Sequence, residues 1–428
     1  MIERVLISQL KIGKPFLIIG RVVSIDDRVT ITDMSGTISL RSIPDKPLVN
    51  EGDIVKVCVE FIENDCFLTD LEILQKTLLN PVTLKRSLFN RYNFSSVDYK
   101  KILVNRQSFF REVRGFYESA GFIEINTPTL LESPGIEQYI EPFVTGYYDH
   151  HGKHTDLYLP TSPEFSLKEV LTTGIERIFE ITRSYRNMGE HSNTHNPEFF
   201  MLEWYRAYEG YESIQNDCFM LVKRLASKVY NKKTINRDGK ICSLDRIDKI
   251  RIKDKFAEFG IDLDLYYDDE KIFIDCVSEL LGIEDCNKDL LKKDDLFFKF
   301  LMEKVEPYIG WACPAILYEY PSDMATLSVR TPDNIRYGKR FELYICGVEI
   351  ANGFEELTDY NAQKANFLET IAKRSNANCT LEIPQRFLDA MKMGIPPCSG
   401  VALGLERLFM LLEGLQSIEE TNIINTFV

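Results

Sequence analysis

Short runs of alternating apolar and polar residues occupy the first 76 positions of the chain. Residues with high β-propensity fill these runs, and turn-forming residues separate them. The runs are FLIIGRVVSIDD, RVTITDMSGTISLRSI, DIVKVCVEFIEN and CFLTDLEIL, and the turns lie at Asp26-Asp27, Ser35-Gly36, Glu51-Gly52-Asp53 and Asn64-Asp65. About five strands in this length predict a small Greek-key barrel of the OB type. Such a barrel either binds an oligonucleotide or serves as a structural or docking module, and the pattern favours neither.

Further along the chain the apolar residues follow helical spacing. The apolar face consists of Phe109, Phe110, Val113, Phe116 and Tyr117. It predicts a helix over 106–120, which Gly121 ends, and the run FIEINTPTLL follows as a predicted strand. We therefore predict a barrel domain at 1–76, a linker at 77–100 and a second domain at 101–428. Within the second domain, helical segments and acidic loops alternate over about 213–312, which predicts a helical connecting region with a mainly structural role.

A charged hairpin is predicted between Arg177 and Arg206, because two apolar runs flank a polar loop. The loop contains Arg186, whose guanidinium can fork onto a phosphate. Phe199 offers a ring that can stack on a base, and Glu203 places a carboxylate on the return strand. The alternative is an ordinary hairpin whose charges are solvated.

Two other segments carry carboxylates in suggestive positions. The sequence Thr161-Ser162-Pro163-Glu164 precedes a predicted helix, where a carboxylate either caps the helix or binds an amine. Glu342 and Glu349 lie seven positions apart, with Gly347 at a predicted turn between two strands. Both carboxylates could then reach one pocket and act as oxygen ligands for magnesium. Two exposed glutamates on an antiparallel pair are the alternative.

The fourth segment is a strand of small residues, Cys398–Gly404, followed by the helical run LERLFMLLEG. Small residues on a strand allow a ligand or a backbone to approach closely. Gly404 is predicted to open the helix, which places Arg407 in its first turn. Core packing explains the apolar residues here but does not explain Arg407 beside the glycines.

Composition narrows the class of protein. The chain has 428 residues, of which 44% are hydrophobic and 27% charged, so two soluble globular domains are expected. No apolar run is long enough to span a bilayer, and the N-terminus does not resemble an export signal. Ten scattered cysteines without a CxxC pair favour reduced thiols in the cytoplasm and argue against zinc. The net charge of −14 argues against non-specific nucleic-acid binding and leaves a local basic patch open.

Together these segments resemble the class II aminoacyl-tRNA synthetases of the lysyl branch. The hairpin resembles motif 2, the glycine-rich strand and helix resemble motif 3, and the helix, strand and Pro128 resemble motif 1, which implies a homodimer. The resemblance covers residues 85 to 425 and implies an α+β fold, in which an antiparallel sheet is flanked by helices. It is stronger to the paralogous elongation factor P lysine ligases, which have phrases like TSPE, LEWYR, GVEIANGFEELTD and CSGVALG.

Ala402 is the residue that most favours the paralogue. The resemblance implies that true synthetases usually have glycine at this position, in the floor of the amino-acid pocket, and that the paralogue has alanine. One methyl group in a tight pocket is worth about 1–3 kcal/mol of discrimination between substrates.

The same resemblance implies a set of ligands and roles. ATP, Mg²⁺ and lysine or β-lysine are the expected ligands, and no side-chain nucleophile is needed because the substrate carboxylate attacks the α-phosphorus. Arg186 and Arg407 are the expected catalytic residues. Expected ATP contacts are Arg186, Asn187, Glu190, Asn196, Phe199, Glu349, Ile350, Gly404 and Arg407. Expected amino-acid contacts are Ser162, Glu164, Glu203, Tyr205, Asn352, Glu356 and Ala402, and expected magnesium ligands are Glu342 and Glu349.

The sequence departs from the pattern of this family in two places. The resemblance implies Arg-Asn-Glu in motif 2, where the glutamate reads the adenine amino group, whereas this chain has Met188 after Asn187 and a loop that is one residue longer. Glu190 is the candidate replacement. The second departure is the barrel, because the typical paralogue is a bare catalytic domain.

Three functions therefore stay open at this point. The favoured one is an ATP-dependent ligase that transfers lysine or β-lysine to a lysine side chain of elongation factor P. The second is a lysine–tRNA ligase, which the barrel supports. The third is a non-catalytic paralogue that senses an amino acid or binds a partner, which Met188 supports.

Overall fold

The computed structural model describes residues 4–11, 14–42, 49–62, 65–77, 99–189, 192–283, 292–374 and 381–422. The chain forms two compact units. One consists of Met1–Asn105 with Asn422–Val428, and the other of Arg106–Thr421. The boundaries predicted at 76 and 100 stay a prediction.

The first unit contains a closed barrel of five strands. The strands are β1 (Phe16–Ile25), β2 (Val29–Asp33), β3 (Gly36–Ser42), β4 (Ile54–Ile62) and β5 (Asp65–Gln75), and they close in the order β1-β2-β3-β5-β4. All neighbours are antiparallel except β3 and β5, which are parallel. Alternate residues such as Ile18, Ile31, Val55 and Val57 fill the interior, because side chains of a strand point to its two faces in turn. The predicted OB-like barrel is confirmed.

The second unit is built on an eight-stranded sheet. Its order is β13-β14-β15-β16-β17-β10-β9-β6, and the six central strands, from β14 to β9, are antiparallel. The two edge strands, β13 and β6, run parallel to their neighbours. The strands are β6 (Ile123–Glu124), β9 (Arg177–Tyr185), β10 (Glu198–Ala207), β13 (Asp248–Arg251), β14 (Ala315–Pro321), β15 (Tyr337–Ile345), β16 (Val348–Glu355) and β17 (Cys398–Gly404). Two separate hairpins are β7 (Val144–Tyr148) with β8 (His154–Tyr158), and β11 (Thr234–Arg237) with β12 (Lys240–Ser243).

Helices cover this sheet. They are α1 (Tyr99–Ser119), α2 (Glu164–Leu171), α3 (Tyr211–Tyr230), α4 (Ile252–Ala257), α5 (Leu265–Asp268), α6 (Glu270–Leu281), α7 (Lys293–Phe300), α8 (Tyr360–Lys373), α9 (Gln385–Met393) and α10 (Leu405–Glu413). The predicted α+β architecture, an antiparallel sheet flanked by helices, is confirmed. No helix within the described residues is both long enough and apolar enough to cross a lipid bilayer.

Two local predictions differ from the structure. The run FIEINTPTLL forms a strand only at Ile123–Glu124. The Ile125 amide still donates to the Phe179 carbonyl, but the Thr127 amide donates to the side chain of Glu180 and so leaves the ladder. The stretch 213–312 contains helices but also β11, β12 and β13, so its helical description is incomplete. The strand β13 extends the central sheet at its edge, and its aliphatic residue Ile250 packs against the core cluster that α4, α6 and α7 share.

Candidate active site

One row of residues crosses four adjacent strands of the central sheet. The register pairs Glu203 of β10 with Ala402 of β17, Ala402 with Asn352 of β16, and Asn352 with Glu342 of β15. Directly paired residues on antiparallel strands share a face of the sheet. Four residues from three separate sequence segments therefore lie side by side on one face.

Glu203 and Tyr205 form the buried centre of one end of this row. The Tyr205 hydroxyl donates to Oε1 of Glu203 at 2.7 Å. Oε2 of Glu203 and Oδ1 of Asn352 are buried and have no hydrogen-bond partner among the described residues. Burial, together with the nearby charge of Glu164, raises the pKa of Glu203 well above its usual value. Buried acceptors usually have a donor, so these two atoms are candidates for contacts with a ligand.

Lys168 joins the other two predicted carboxylates at this end. Its Nζ lies 2.6 Å from Oε1 of Glu164 and 2.6 Å from Oε2 of Glu356. Burial raises the pKa of Glu356 to about 7, although the Lys168 charge acts in the opposite direction. The helix α2 starts at Glu164, so Lys168 follows one turn later on the same side of the helix. The amide of Glu164 donates to Oγ of Ser162 at 3.4 Å.

Small residues of β17 leave room for these side chains. A Cβ atom on Gly400 would come within 2.1 Å of the Tyr205 ring and 2.6 Å of Oε1 of Glu356. Such approaches are far closer than van der Waals contact, so only glycine fits at this position. Ala402, two residues later on the same face, is half-buried between Glu203 and Asn352. At these two positions β17 therefore presents only backbone and one methyl group beside Tyr205 and Glu203.

The Arg186 guanidinium lies over the Phe199 ring, 5.2 Å from its centroid. Its Nε is buried and has no hydrogen-bond partner in the described part of the chain. The backbone amide of Arg186 donates to the carbonyl of Pro197 at 2.9 Å, which closes the base of the loop between β9 and β10. An arginine with an unused buried donor beside a half-buried aromatic ring suits an anion attached to a planar base.

Arg407 is held from three sides. Its Nε donates to the Thr194 carbonyl at 3.0 Å, and its Nη1 donates to the carbonyl of Glu349 at 2.8 Å and to its Oε2 at 3.2 Å. Nη2 lies 2.7 Å from Nε2 of His195. Gly404 is the N-cap of α10, as predicted, so Arg407 lies in the first turn.

Glu342 and Glu349 lie near each other across the β15–β16 hairpin, whose turn contains Gly347 at a φ of 71°. Glu342 accepts from the hydroxyls of Tyr320, at 2.6 Å, and Tyr344, and from Arg340. A third carboxyl, Glu306, was not predicted. Burial, followed by the charges of Glu342 and Glu349, raises its pKa to about 8.

This carboxylate group fits a divalent cation that phosphates also coordinate. Among the described residues no group of three or more protein ligands forms a closed metal site. Magnesium does not require one, because it keeps waters and phosphate oxygens in its shell and takes one or two carboxylates from the protein. The negative charges of Glu342 and Glu349 act on the nearby carboxyl of Glu306. A bound cation would offset these negative charges.

The other predicted ATP contacts make fewer side-chain contacts among the described residues. The amide of Asn187 donates to the Glu141 carbonyl at 2.8 Å, and its Oδ1 accepts from the amide of Met188 at 3.0 Å. Met188 has a φ of 52° and is 73% exposed. Asn196 is half-buried in the loop before β10, and Ile350 is buried in β16. Glu190, the candidate replacement for the missing glutamate, lies outside the described residues.

Several polar and charged residues of the site were not predicted from the sequence. Lys168 could have been found from its position four residues after Glu164. Glu137 could not, because it precedes β7 in a segment without periodicity; it accepts from the Thr161 hydroxyl at 3.2 Å, and burial raises its pKa while Arg186 lowers it. Arg340 and Tyr320 reach Glu342 from strand positions that resemble ordinary core or surface positions.

Comparison with known proteins agrees with this geometry. Residues 86–424 match the family described as class II tRNA synthetases (D, K and N). An elongation factor P–(R)-β-lysine ligase from Salmonella dublin is 32% identical over 327 residues, which cover 74% of this chain and 93% of the relative. The ligases of the same name from Salmonella heidelberg and Salmonella agona match with the same identity and coverage.

Proposed function

This chain belongs to the class II tRNA synthetase family, and we propose that it is a ligase that activates lysine or β-lysine with ATP and transfers it to a lysine side chain of elongation factor P. The observation that carries the proposal is a group of three largely buried carboxylates. Glu164 and Glu356 pair with Lys168, and burial together with these two charges raises the pKa of Glu203, which is paired across the strands with Ala402. Buried carboxylates with unused acceptors suit a substrate that has two ammonium groups.

In the first step the substrate carboxylate attacks the α-phosphorus of ATP. A carboxylate–phosphate bond forms, the bond to the β-phosphate oxygen breaks, and pyrophosphate leaves. Arg186 binds the substrate carboxylate and the α-phosphate, Phe199 stacks on adenine, and Arg407 binds the γ-phosphate. Since no side chain forms a covalent bond, catalysis consists of positioning and charge stabilisation.

Magnesium would be held by Glu342 and Glu349, with Glu306 near both. The ion would supply positive charge to the phosphate oxygens. The tyrosine and arginine contacts of Glu342 fix the orientation of its carboxylate before any cation arrives.

In the second step a lysine ε-amine of the acceptor, in its neutral form, attacks the carbonyl carbon of the mixed anhydride. An amide bond forms, AMP leaves, and the attacking nitrogen releases a proton. The resemblance also implies a homodimer, which stays part of this proposal.

The second candidate is a lysine–tRNA ligase, which differs only in the acceptor, a ribose hydroxyl. The five-stranded barrel favours it, because strands β1 to β5 precede the segment that matches the family. A barrel of this type is a common oligonucleotide-binding module.

One transfer assay separates these candidates. The full chain is incubated with ATP, magnesium and radiolabelled lysine or (R)-β-lysine, with elongation factor P in one tube and lysine tRNA in another. We expect label on elongation factor P, with β-lysine preferred. Label on tRNA alone would overturn the proposal in favour of the synthetase. No lysine-dependent exchange of pyrophosphate into ATP with either amino acid would leave the non-catalytic paralogue.

A further inference from the structure

Lys168 occupies the centre of the proposed amino-acid pocket, although a lysine would not be expected where a cationic substrate binds. Its side chain is 3% exposed, and its Nζ lies 2.6 Å from an oxygen of Glu164 and 2.6 Å from an oxygen of Glu356. It also lies 6.0 Å from the centroid of the Tyr205 ring. The two carboxylates belong to a helix and to the end of a strand, so Lys168 is the contact that links them.

The charges of the pocket explain why such a residue is useful. Glu164, Glu203 and Glu356 carry three formal negative charges when ionised, and Lys168 carries one positive charge. The remaining two negative charges equal the charge of the two ammonium groups of lysine or β-lysine, whose carboxylate is assigned to Arg186. Without Lys168 a third carboxylate would be buried and unpaired even after the substrate has bound, which is strongly unfavourable.

Neighbouring titratable groups do not alter this balance. Burial raises the pKa of Tyr205 and of the nearby Cys398 thiol, so both stay neutral and add no charge. Burial also raises the pKa of Glu203 and of Glu356, and a bound ammonium group would favour their ionised forms. The unused acceptors at Glu203 Oε2 and Asn352 Oδ1 stay open to the substrate. Lys168 therefore pairs with oxygens of Glu164 and Glu356 and does not bind the free acceptors of Glu203 and Asn352.

We propose that Lys168 is a positioning residue, a resident counter-cation that holds Glu164 and Glu356 at a fixed separation for the two amino groups of the substrate. This inference rests on the proposed function and deepens it. Lys168 itself does not contact the reacting atoms. Its loss should therefore weaken binding of the amino acid and leave ATP binding and the chemical step largely intact.

The matched test compares Lys168→Met with Lys373→Met in lysine-dependent pyrophosphate exchange. Lys373 makes the same type of ion pair, at 2.8 Å from the glutamate four residues earlier, but it lies on the exposed surface of α8. For Lys168→Met we expect the KM for lysine or β-lysine to rise about ten- to a hundredfold, the effect of losing charged hydrogen bonds. The kcat and the KM for ATP should stay within about threefold, and Lys373→Met should match the wild type.

Chemical rescue distinguishes charge from packing. In Lys168→Ala, propylammonium supplies the missing atoms with their charge, whereas 1-propanol fills the same space without it. Propylammonium should lower the raised KM and 1-propanol should not. Lys168→Gln, which keeps a polar side chain, provides a second variant if the shorter ones do not fold, and its KM should also rise.

Each outcome has a defined meaning. Kinetics of Lys168→Met equal to those of Lys373→Met would overturn the role of Lys168 and leave the ligase intact. A fall in kcat at constant KM, or equal rescue by 1-propanol, would also overturn it. A wild-type protein that exchanges no pyrophosphate with either amino acid would remove the proposed function itself, and the role of Lys168 with it.

Discussion

The two ends of the candidate site use charge in opposite ways. At the amino-acid end, Glu164 and Glu356 share one buried lysine, and an acceptor of Glu203 has no hydrogen-bond partner among the described residues. At the phosphate end, Arg407 is already bonded to backbone carbonyls and to Glu349, so its position is fixed before a ligand arrives. One end has unmet hydrogen-bonding capacity, and the other is pre-organised by satisfied contacts.

This difference indicates where selectivity and where catalysis should come from. Buried groups that lack partners discriminate strongly, because a substrate without the matching donor leaves them unpaired. Groups that are already held in place contribute by stabilising charge as it develops. Substitutions at the amino-acid end should therefore change the KM for lysine, and those at the phosphate end should change kcat and the KM for ATP.

The largest effect is expected for Arg186→Ala, since Arg186 is assigned to both ligands. Lysine-dependent pyrophosphate exchange should fall about a thousandfold or more. Arg183→Ala is the control, because Arg183 lies in β9 three residues before Arg186, is about half exposed and pairs with Glu198. If Arg186→Ala exchanged pyrophosphate at the wild-type rate, Arg186 would not be part of the active site.

Glu203→Gln should affect the amino-acid end alone. The kcat/KM for lysine should fall about a hundredfold, because a charged acceptor for an ammonium group is lost. The KM for ATP should not change, and the midpoint of thermal unfolding should not fall, since a crowded buried carboxyl becomes neutral. Glu198→Gln, on the same strand but more exposed, is the control. A variant that loses ATP affinity as well would contradict the separation of the two ends.

Ala402→Gly should change which amino acid the pocket prefers. Removal of the methyl group between Glu203 and Asn352 should shift preference toward α-lysine by about tenfold and improve charging of tRNA. The ratio of kcat/KM for α-lysine and (R)-β-lysine, measured on the same preparation, gives the answer. If neither this ratio nor tRNA charging changed, the floor of the pocket would not set its selectivity.

The smallest predicted effect concerns pH. Burial raises the pKa of Glu356 to about 7, and the ionised form binds an ammonium group more strongly than the neutral form. The KM for lysine should therefore fall about five- to tenfold as the pH rises from about 6 to about 8. Glu356→Gln should weaken binding and abolish this dependence; a wild-type KM that stays constant over this range would contradict it.

The stability of the free protein should follow the opposite trend. A carboxyl whose pKa is raised by folding stabilises the folded state when protonated, so this contribution is complete below about pH 4.3 and is lost as the pH rises through about 7. Thermal unfolding of the wild type and of Glu356→Gln across this range measures it. The difference between the two should disappear on the acid side.

The local chemistry of the site was largely predictable from the sequence. The Arg186 loop lies between two strands as expected, Gly404 caps the helix that carries Arg407, and Gly347 lies at the turn between the strands of Glu342 and Glu349. Each of these features depends on neighbours within a few residues, where turn and capping preferences act. The roles assigned to these residues stay predictions.

The sequence by itself determined the barrel, the hairpins and the types of chemical group that the site contains, because alternation, turn residues and motif spacing are local properties. Only the tertiary structure decided that β16, β17 and β10 lie side by side, so that Glu203, Ala402 and Asn352 form one row. It also decided that Lys168 reaches Glu356 and that Gly400 faces the Tyr205 ring. Strand order and buried ion pairs depend on contacts between distant segments, which no local pattern encodes.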